Sequence, residues 1–242
     1  MGFVFLIVID CMNVINKYFD NVFVITTSVE TERQKYITDY MKSHGIHYNL
    51  RTAIPSCFVQ SYDTVDLWGT PKTTTKGNVS LCLCYLSIIS ECLYKNKHKL
   101  LVLEDDVAFE PDYQEKIELF MSSMNDDYWD VLNLGYHHDK EDGFSWKYFK
   151  MNDVVSVSEV SWTTHMVAFN NRKTLINLKN KLINDTPLPI DYVINYFTHT
   201  CKLANDDRMM RGYIPNQIIC KQLSYRDHEN KPENKVFKSL IE

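Results

Sequence analysis

The feature that most constrains how this chain folds is the run Leu100-Leu-Val-Leu103, followed without a break by Glu104-Asp105-Asp106. Four successive apolar residues leave a strand no polar face, so it must be covered on both sides, as central strands of parallel α/β sheets are. In such sheets ligands bind outside the carboxyl ends of the strands. The three acids stand at that end.

The flanking sequence fits the same architecture. Val22-Phe-Val-Ile25 is a second short apolar run, followed by Thr26-Thr27-Ser28 and then by Glu30–Met41, where Tyr36, Ile37, Tyr40 and Met41 recur at helical spacing. Ser28, Thr31 and Glu32 supply the oxygens and acidic first turn that suit a helix start. A further strand is predicted within Tyr48–Ile54, and the polar, Thr-rich stretch Pro55–Lys76 reads as a loop long enough to serve as a mobile lid. Val79, Cys82, Leu86, Ile89 and Leu93 form one helix face, with Lys95, Lys97, His98 and Lys99 where cations favour a helix C-terminus. Pro111 and Asp112 open another helix with Ile117, Phe120, Met121 and Met124 inside, and Asp130–Leu134 reads as a strand ended by Gly135. This alternation predicts an α/β fold with a mainly parallel central sheet flanked by helices. The second half is less regular: strands over Val154–Val160 and His165–Phe169, and helices over Arg172–Asn184 and Asp191–Phe197, the last introduced by Pro187 and Pro189.

With 242 residues and 45% hydrophobic content, the chain can bury a substantial core, and a single domain over 1–242 is expected. A net charge of -5 without a dense Lys/Arg block argues against a nucleic-acid partner. The apolar run Phe3–Ile9 is stopped by Asp10, too short to span a bilayer and without a signal-peptide pattern, so a cytoplasmic location is expected. Seven cysteines, an odd set lacking CxxC spacing, read as buried free thiols in a reducing compartment. Abundant Asn, Lys, Ile and Tyr point to an AT-rich genome, and a viral origin would make the compartment host cytoplasm.

Glu104 and Asp106, two residues apart, can aim hard oxygen ligands at one divalent cation, leaving other positions for water and a diphosphate. A cation there neutralises charge building on a nucleotide leaving group. The plainer alternative is that the triplet solvates a strand end and caps the next helix. Adjacent acids recur at Asp126-Asp127 and Asp206-Asp207, but only the first pair follows a continuous apolar strand. A phosphatase of the haloacid-dehalogenase kind needs an Asp-x-Asp run near its first strand, and none stands near Val22–Ser28.

Lys76-Gly77-Asn78-Val79, an apolar helix, and then Leu100-Leu-Val-Leu-Glu-Asp-Asp-Val107 resemble the central block of glycosyltransferase family 25, the lipopolysaccharide and procollagen galactosyltransferase group. In the same order, Val22–Arg33 resembles its opening strand and arginine-bearing turn, and Trp129-Asp-Val-Leu-Asn-Leu-Gly135 its strand ending in Leu-Gly. Pro189-Ile190-Asp191 resembles its Pro-x-Asp element, and Gln222, Ser224 and Asp227 echo its C-terminal motif. The resemblance implies a Rossmann-like sheet of the GT-A type, with a nucleotide-sugar half over about 20–135, an acceptor half over about 136–228 and a polar tail over 229–242. It implies transfer of galactose or glucose from a UDP-sugar, with Mn²⁺ or another divalent cation, to a hydroxyl of a glycan or protein, collagen-like hydroxylysine included, and an inverting outcome.

The roles implied are Glu104 and Asp106 for metal, with Arg33, Gly77 and Asp105 for the donor. Arg33 is alternatively a surface cation paired with an acid such as Glu30. Asp191 is either the general base or the N-cap of its helix, and Asp227 or His228 either a late metal ligand or part of a polar tail. Trp68 and Trp162 are sugar or base platforms or buried rings, and His137-His138 reads as loop. The family shows Gly-Glu-x-Gly-Cys followed by Ser-His, whereas this chain has Gly77-Asn78-Val79-Ser80-Leu81 and then Cys84-Tyr85. That departure opens the alternative of a catalytically silent sugar-nucleotide or glycan-binding domain.

Overall fold

The computed structural model describes residues 12–26, 32–65, 71–124, 129–135, 148–158, 164–184, 189–195 and 211–223. The apolar run Phe3–Ile9, the Ser28 and Thr31 capping residues, Trp68, Trp162, His137-His138, Ser224, Asp227 and His228 lie outside them. In chain order the elements are α1 (Val14–Tyr18), β1 (Asn21–Thr26), α2 (Glu32–Ser43), β2 (Asn49–Thr52), a short 3-10 turn (Ser56–Phe58), β3 (Tyr62–Val65), β4 (Pro71–Thr74), α3 (Lys76–Tyr94), β5 (Leu100–Glu104), β6 (Val107–Phe109), α4 (Tyr113–Ser122), β7 (Val131–Asn133), β8 (Tyr148–Lys150), β9 (Val155–Ser158), β10 (Met166–Phe169), α5 (Arg172–Asn184), β11 (Gly212–Pro215) and β12 (Cys220–Gln222). Residues 190–195 are also helical.

Eight strands form one sheet in the order β2-β1-β5-β10-β7-β11-β9-β8. β1 pairs in parallel with β2 and β5, and β7 with β11, while β10 runs antiparallel between β5 and β7, as β9 does beside β11 and β8. Six of the eight strands therefore point one way, the layered α/β arrangement expected of a GT-A domain. Leu100 to Leu103 are all fully buried in the middle of this sheet.

Alternation along the strands splits the core into two layers. Val22 and Val24 of β1, Leu101 and Leu103 of β5, and Met166 and Ala168 of β10 pack with α1, α2 and α4. Phe23, Ile25, Leu100, Val102, Val167 and Phe169 face α3, α5 and Ile190, Val193 and Ile194. α3 is apolar and long enough to cross a membrane, but here it packs on the sheet, with Tyr85, Ile88 and Ile89 fully buried. Cys82, Cys84, Cys92 and Cys220 are buried free thiols as expected, and Cys57 is exposed.

Two regions differ from the sequence reading. The stretch read as a loop over Pro55–Lys76 contains the antiparallel hairpin β3-β4, with Tyr62 opposite Thr74. A two-stranded ribbon satisfies its backbone by mutual pairing and needs no apolar period, so periodicity does not reveal it. α3 also starts earlier than the first apolar position implies, at Lys76, because the Thr75 side chain accepts a hydrogen bond from the Asn78 amide and caps the helix. Just past the acidic turn, β6 leaves the main sheet and pairs antiparallel with β12, Gln222 opposite Val107.

Candidate active site

The strand alternation that divides the core also divides the acidic triplet. Glu104 continues the parity of Leu100 and Val102 and faces the α3 layer, whereas Asp105 continues that of Leu101 and Leu103 and faces α2. Asp106 stands at the corner where the chain turns from β5 into β6.

On the α2 side the charges are matched within the protein. Asp105 is 2% exposed; Thr26 donates to its Oδ2 at 2.9 Å, and the Arg33 guanidinium donates to its Oδ1. Arg33 also lies 3.5 Å from Asp106 Oδ2. Arg33 is thus an internal cation of the acidic turn, not a surface cation. Asp105, expected to contact the donor, is turned into the protein with both oxygens held by protein donors.

Asp106 is tied to the C-terminal strand. Gln222 Nε2 donates to Asp106 Oδ2 at 3.2 Å, and the Leu223 amide donates to the Asp106 carbonyl at 2.8 Å. The β6-β12 ribbon thereby carries the Gln222 motif element back to the acids across more than a hundred residues.

On the α3 side no cation among the described residues forms an ion pair with Glu104 or Asp191. Glu104 Oε1 accepts from Thr164 Oγ1 at 2.7 Å, and the Glu104 amide donates to the His165 carbonyl at 3.0 Å. Burial, followed by the charge of Asp106, pushes the Glu104 carboxyl up to about 8, with the Thr164 hydrogen bond and Arg33 opposing the rise. Asp191 lies in the same layer, within the helical segment 190–195 and past its first residue, so it is not the N-cap; its Oδ1 accepts from the Tyr192 amide at 2.9 Å. Burial raises it to about 6. Its charge adds to the burial that pushes the Cys82 thiol up to about 12, which sets Asp191 against the first half of α3. One turn further along α3, Tyr85 is raised by burial and by the charge of Glu104. α3 therefore runs past both carboxylates.

The two glycines of interest behave differently. Gly77 is exposed in the first turn of α3, and a Cβ there would meet only Thr75 Oγ1, at 3.8 Å. Nothing among the described residues demands glycine at 77, and no hydrogen bond or ion pair among them joins it to the acidic turn. A Cβ on Gly135 would lie 2.5 Å from the His165 ring and 3.0 Å from Cys220 Sγ. The Leu-Gly strand end is a packing requirement of the buried His165 imidazole.

Among the described residues no group of three His, Cys, Asp or Glu side chains forms a ready-made metal cluster. The donor set nevertheless suits a hard divalent cation: Glu104 and Asp106 are carboxylates close enough for the charge of Asp106 to raise the proton affinity of Glu104. Sequence reasoning assigned no site role to Thr26, Thr164 or Gln222; Thr26 and Gln222 stood within segments that resemble the family, and Thr164 in none.

A sequence model of the family described as "Glycosyltransferase family 25 (LPS biosynthesis protein)" matches residues 19–224. The chain is 27% identical over 129 residues to the Homo sapiens "Inactive glycosyltransferase 25 family member 3", covering 48% of this chain and 22% of that protein. It is 35% identical over 66 residues to the Rattus norvegicus "Probable inactive glycosyltransferase 25 family member 3", covering 26% of this chain and 12% of that protein. The matched segment thus spans about a fifth or less of these relatives' length. A solved structure titled "crystal structure of a glycosyltransferase involved in the glycosylation of the major capsid of PBCV-1" is similar over 90% of this chain and 98% of that one, at 12% identity and a TM-score of 0.45. By the family match over most of its length, the chain belongs to glycosyltransferase family 25.

Proposed function

We propose that the chain transfers a hexose, galactose or glucose, from a UDP-sugar to a hydroxyl of a glycan or protein acceptor, with inversion, and that it requires a divalent cation such as Mn²⁺. The observation that carries this reading is the acidic turn at the end of the central strand, where Glu104 and Asp106 stand two residues apart and Thr164 and Gln222 each hold one of their oxygens. Bound there, a cation supplies charge neutralisation for the diphosphate leaving group. Glu104 and Asp106 are its protein ligands, with Thr164 and Gln222 orienting them. Arg33 and Asp105 hold the turn from behind.

On the acceptor side, Asp191 removes the proton from the attacking hydroxyl. A carboxylate raised to about 6 is mostly ionised at neutral pH yet more basic than an ordinary aspartate, which suits a general base. The absence of a side chain at the exposed Gly77 keeps the α3 N-terminus open to the donor.

The test is donor hydrolysis or transfer with and without Mn²⁺ and chelator, in the wild type and in Asp106→Ala. Turnover that survives both chelation and Asp106→Ala overturns the metal role. Asp191→Asn is expected to lower kcat by roughly 10²–10⁴ and to remove the rise of activity with pH around 6. A second reading, a sugar-nucleotide-binding domain without chemistry, is favoured by the names of the human and rat relatives and by the altered Gly77–Tyr85 block. UDP binding without transfer to any of a broad acceptor panel decides for it.

A further inference from the structure

Asp106 is followed at once by β6, whose strand partner among the described residues is β12. The cross-bonds of this ribbon fall at alternate residues: the Leu223 amide donates to the Asp106 carbonyl at 2.8 Å, and the Glu110 amide to the Ile219 carbonyl at 2.9 Å. Residues between such bonds in an antiparallel pair turn their amides the other way. The Phe109 amide therefore points away from β12, and it donates to the Tyr40 hydroxyl of α2 at 2.6 Å.

Tyr40 is itself held by its ring, which stacks on Tyr36 at 5.4 Å and on Phe109 at 5.7 Å between centroids. Phe109 stacks in turn on Tyr113 at 4.5 Å. Tyr40 also stands seven residues past Arg33, about two helical turns, so both project from one face of α2. Arg33 donates to Asp105 and lies 3.5 Å from Asp106. One helix thus holds the chain on either side of Asp106, at Asp105 through Arg33 and at Phe109 through Tyr40. Across the ribbon, Gln222 donates to Asp106 Oδ2.

We propose that Tyr40 is a positioning residue of the cation site: by accepting the Phe109 amide it fixes the β6-β12 ribbon against α2, and so sets the place of Asp106 relative to Glu104. The two acids have different supports. Glu104 ends β5 in the main sheet, in register with Ile25 of β1, whereas Asp106 begins a ribbon outside that sheet. Removing the acceptor leaves the Phe109 amide without its partner and the ribbon without its tie to α2, while Glu104 stays anchored. The inference rests on the cation reading of Glu104 and Asp106 proposed above. Outer groups that orient metal-binding side chains change metal affinity by roughly 10–100-fold when removed.

Mn²⁺ binding in the presence of UDP, measured by the loss of the free-ion paramagnetic signal, tests it without reference to turnover. Tyr40→Phe keeps the stacked ring and removes the acceptor; it is expected to weaken Mn²⁺ binding about 10-fold. Tyr113→Phe is the control, because it removes a hydroxyl from the same ring stack that accepts from Asn13 Nδ2, at 2.8 Å, and not from β6. It should lower the melting temperature while leaving Mn²⁺ binding unchanged. Gln222→Ala should weaken binding too, and adding Tyr40→Phe to it should cost less than the two separate losses together, since both act on Asp106 through one ribbon. Tyr40→Phe that binds Mn²⁺ as wild type does, Tyr113→Phe as damaging as Tyr40→Phe, or losses that add in full would each overturn the role of Tyr40 alone. Wild-type protein that binds no Mn²⁺ overturns the cation reading, and this inference with it.

Discussion

The two sides of the acidic turn carry the same kind of residue in opposite states. Facing α2, Asp105 is buried with Thr26 and Arg33 on its two oxygens. Facing α3, Glu104 has one hydroxyl on one oxygen, and burial with the charge of Asp106 pushes it up to about 8. A carboxylate whose charge is balanced inside the protein serves the fold. One with no cation paired to it among the described residues is open to a partner from outside, and the two neighbours differ because Glu104 ends the strand while Asp105 opens the turn and is held by Thr26 and Arg33.

The largest expected effect breaks the balanced side. Asp105→Ala removes the buried carboxylate to which the Arg33 guanidinium donates, and should destabilise the protein by about 3 kcal/mol or more in denaturant unfolding. A loss under ~1 kcal/mol means the pair is not structural. Gly135→Ala comes next. The added methyl meets the His165 ring at 2.5 Å and must displace it, at a cost of about 1–3 kcal/mol. Because the Glu104 amide bonds the His165 carbonyl, this variant should also weaken any ligand-induced stabilisation.

The unbalanced side should respond with the opposite sign. Glu104 is an acid whose folded value, about 8, lies above its ordinary 4.5, so the folded protein holds a proton that the unfolded chain releases. Metal-free stability should therefore fall as pH rises from about 4.5 to about 8 and level off above that. Glu104→Gln removes that slope and should raise the melting temperature at pH 8, measured by calorimetric scans across pH. Destabilisation by Glu104→Gln comparable to that of Asp105→Ala would erase the contrast. The smallest effect is at Gly77, where the space is open: Gly77→Ala should gain up to ~1 kcal/mol from helix preference while reducing UDP affinity, measured by titration.

Much of the scaffold is legible in the sequence because its signals are local. The run Leu100–Leu103 marks the central strand, and α5 occupies Arg172–Asn184 as its periodicity predicts. β6 and β12 are three residues each, too short for a period to show, and exist because they pair with one another across the chain. The same distance hides half of the site. Glu104, Asp106 and Asp191 are visible as acids near strand or helix ends, but Thr164 and Gln222 reach them only through sheet order. The division of labour between Glu104 and Asp105 is a local matter by contrast. Glu104 ends the strand that begins at Leu100 and Asp105 opens the turn beyond it, an order written in the sequence itself.

The central claim, that the α3 side of the acidic turn is completed by a cation, is tested most directly by thermal unfolding of the metal-free protein at pH 8 as Mn²⁺ and UDP are titrated in. The predicted result is a saturable rise in melting temperature that is larger at pH 8 than at pH 6 and is absent in Asp106→Ala. A melting temperature indifferent to Mn²⁺, or a rise retained in full by Asp106→Ala, would contradict it.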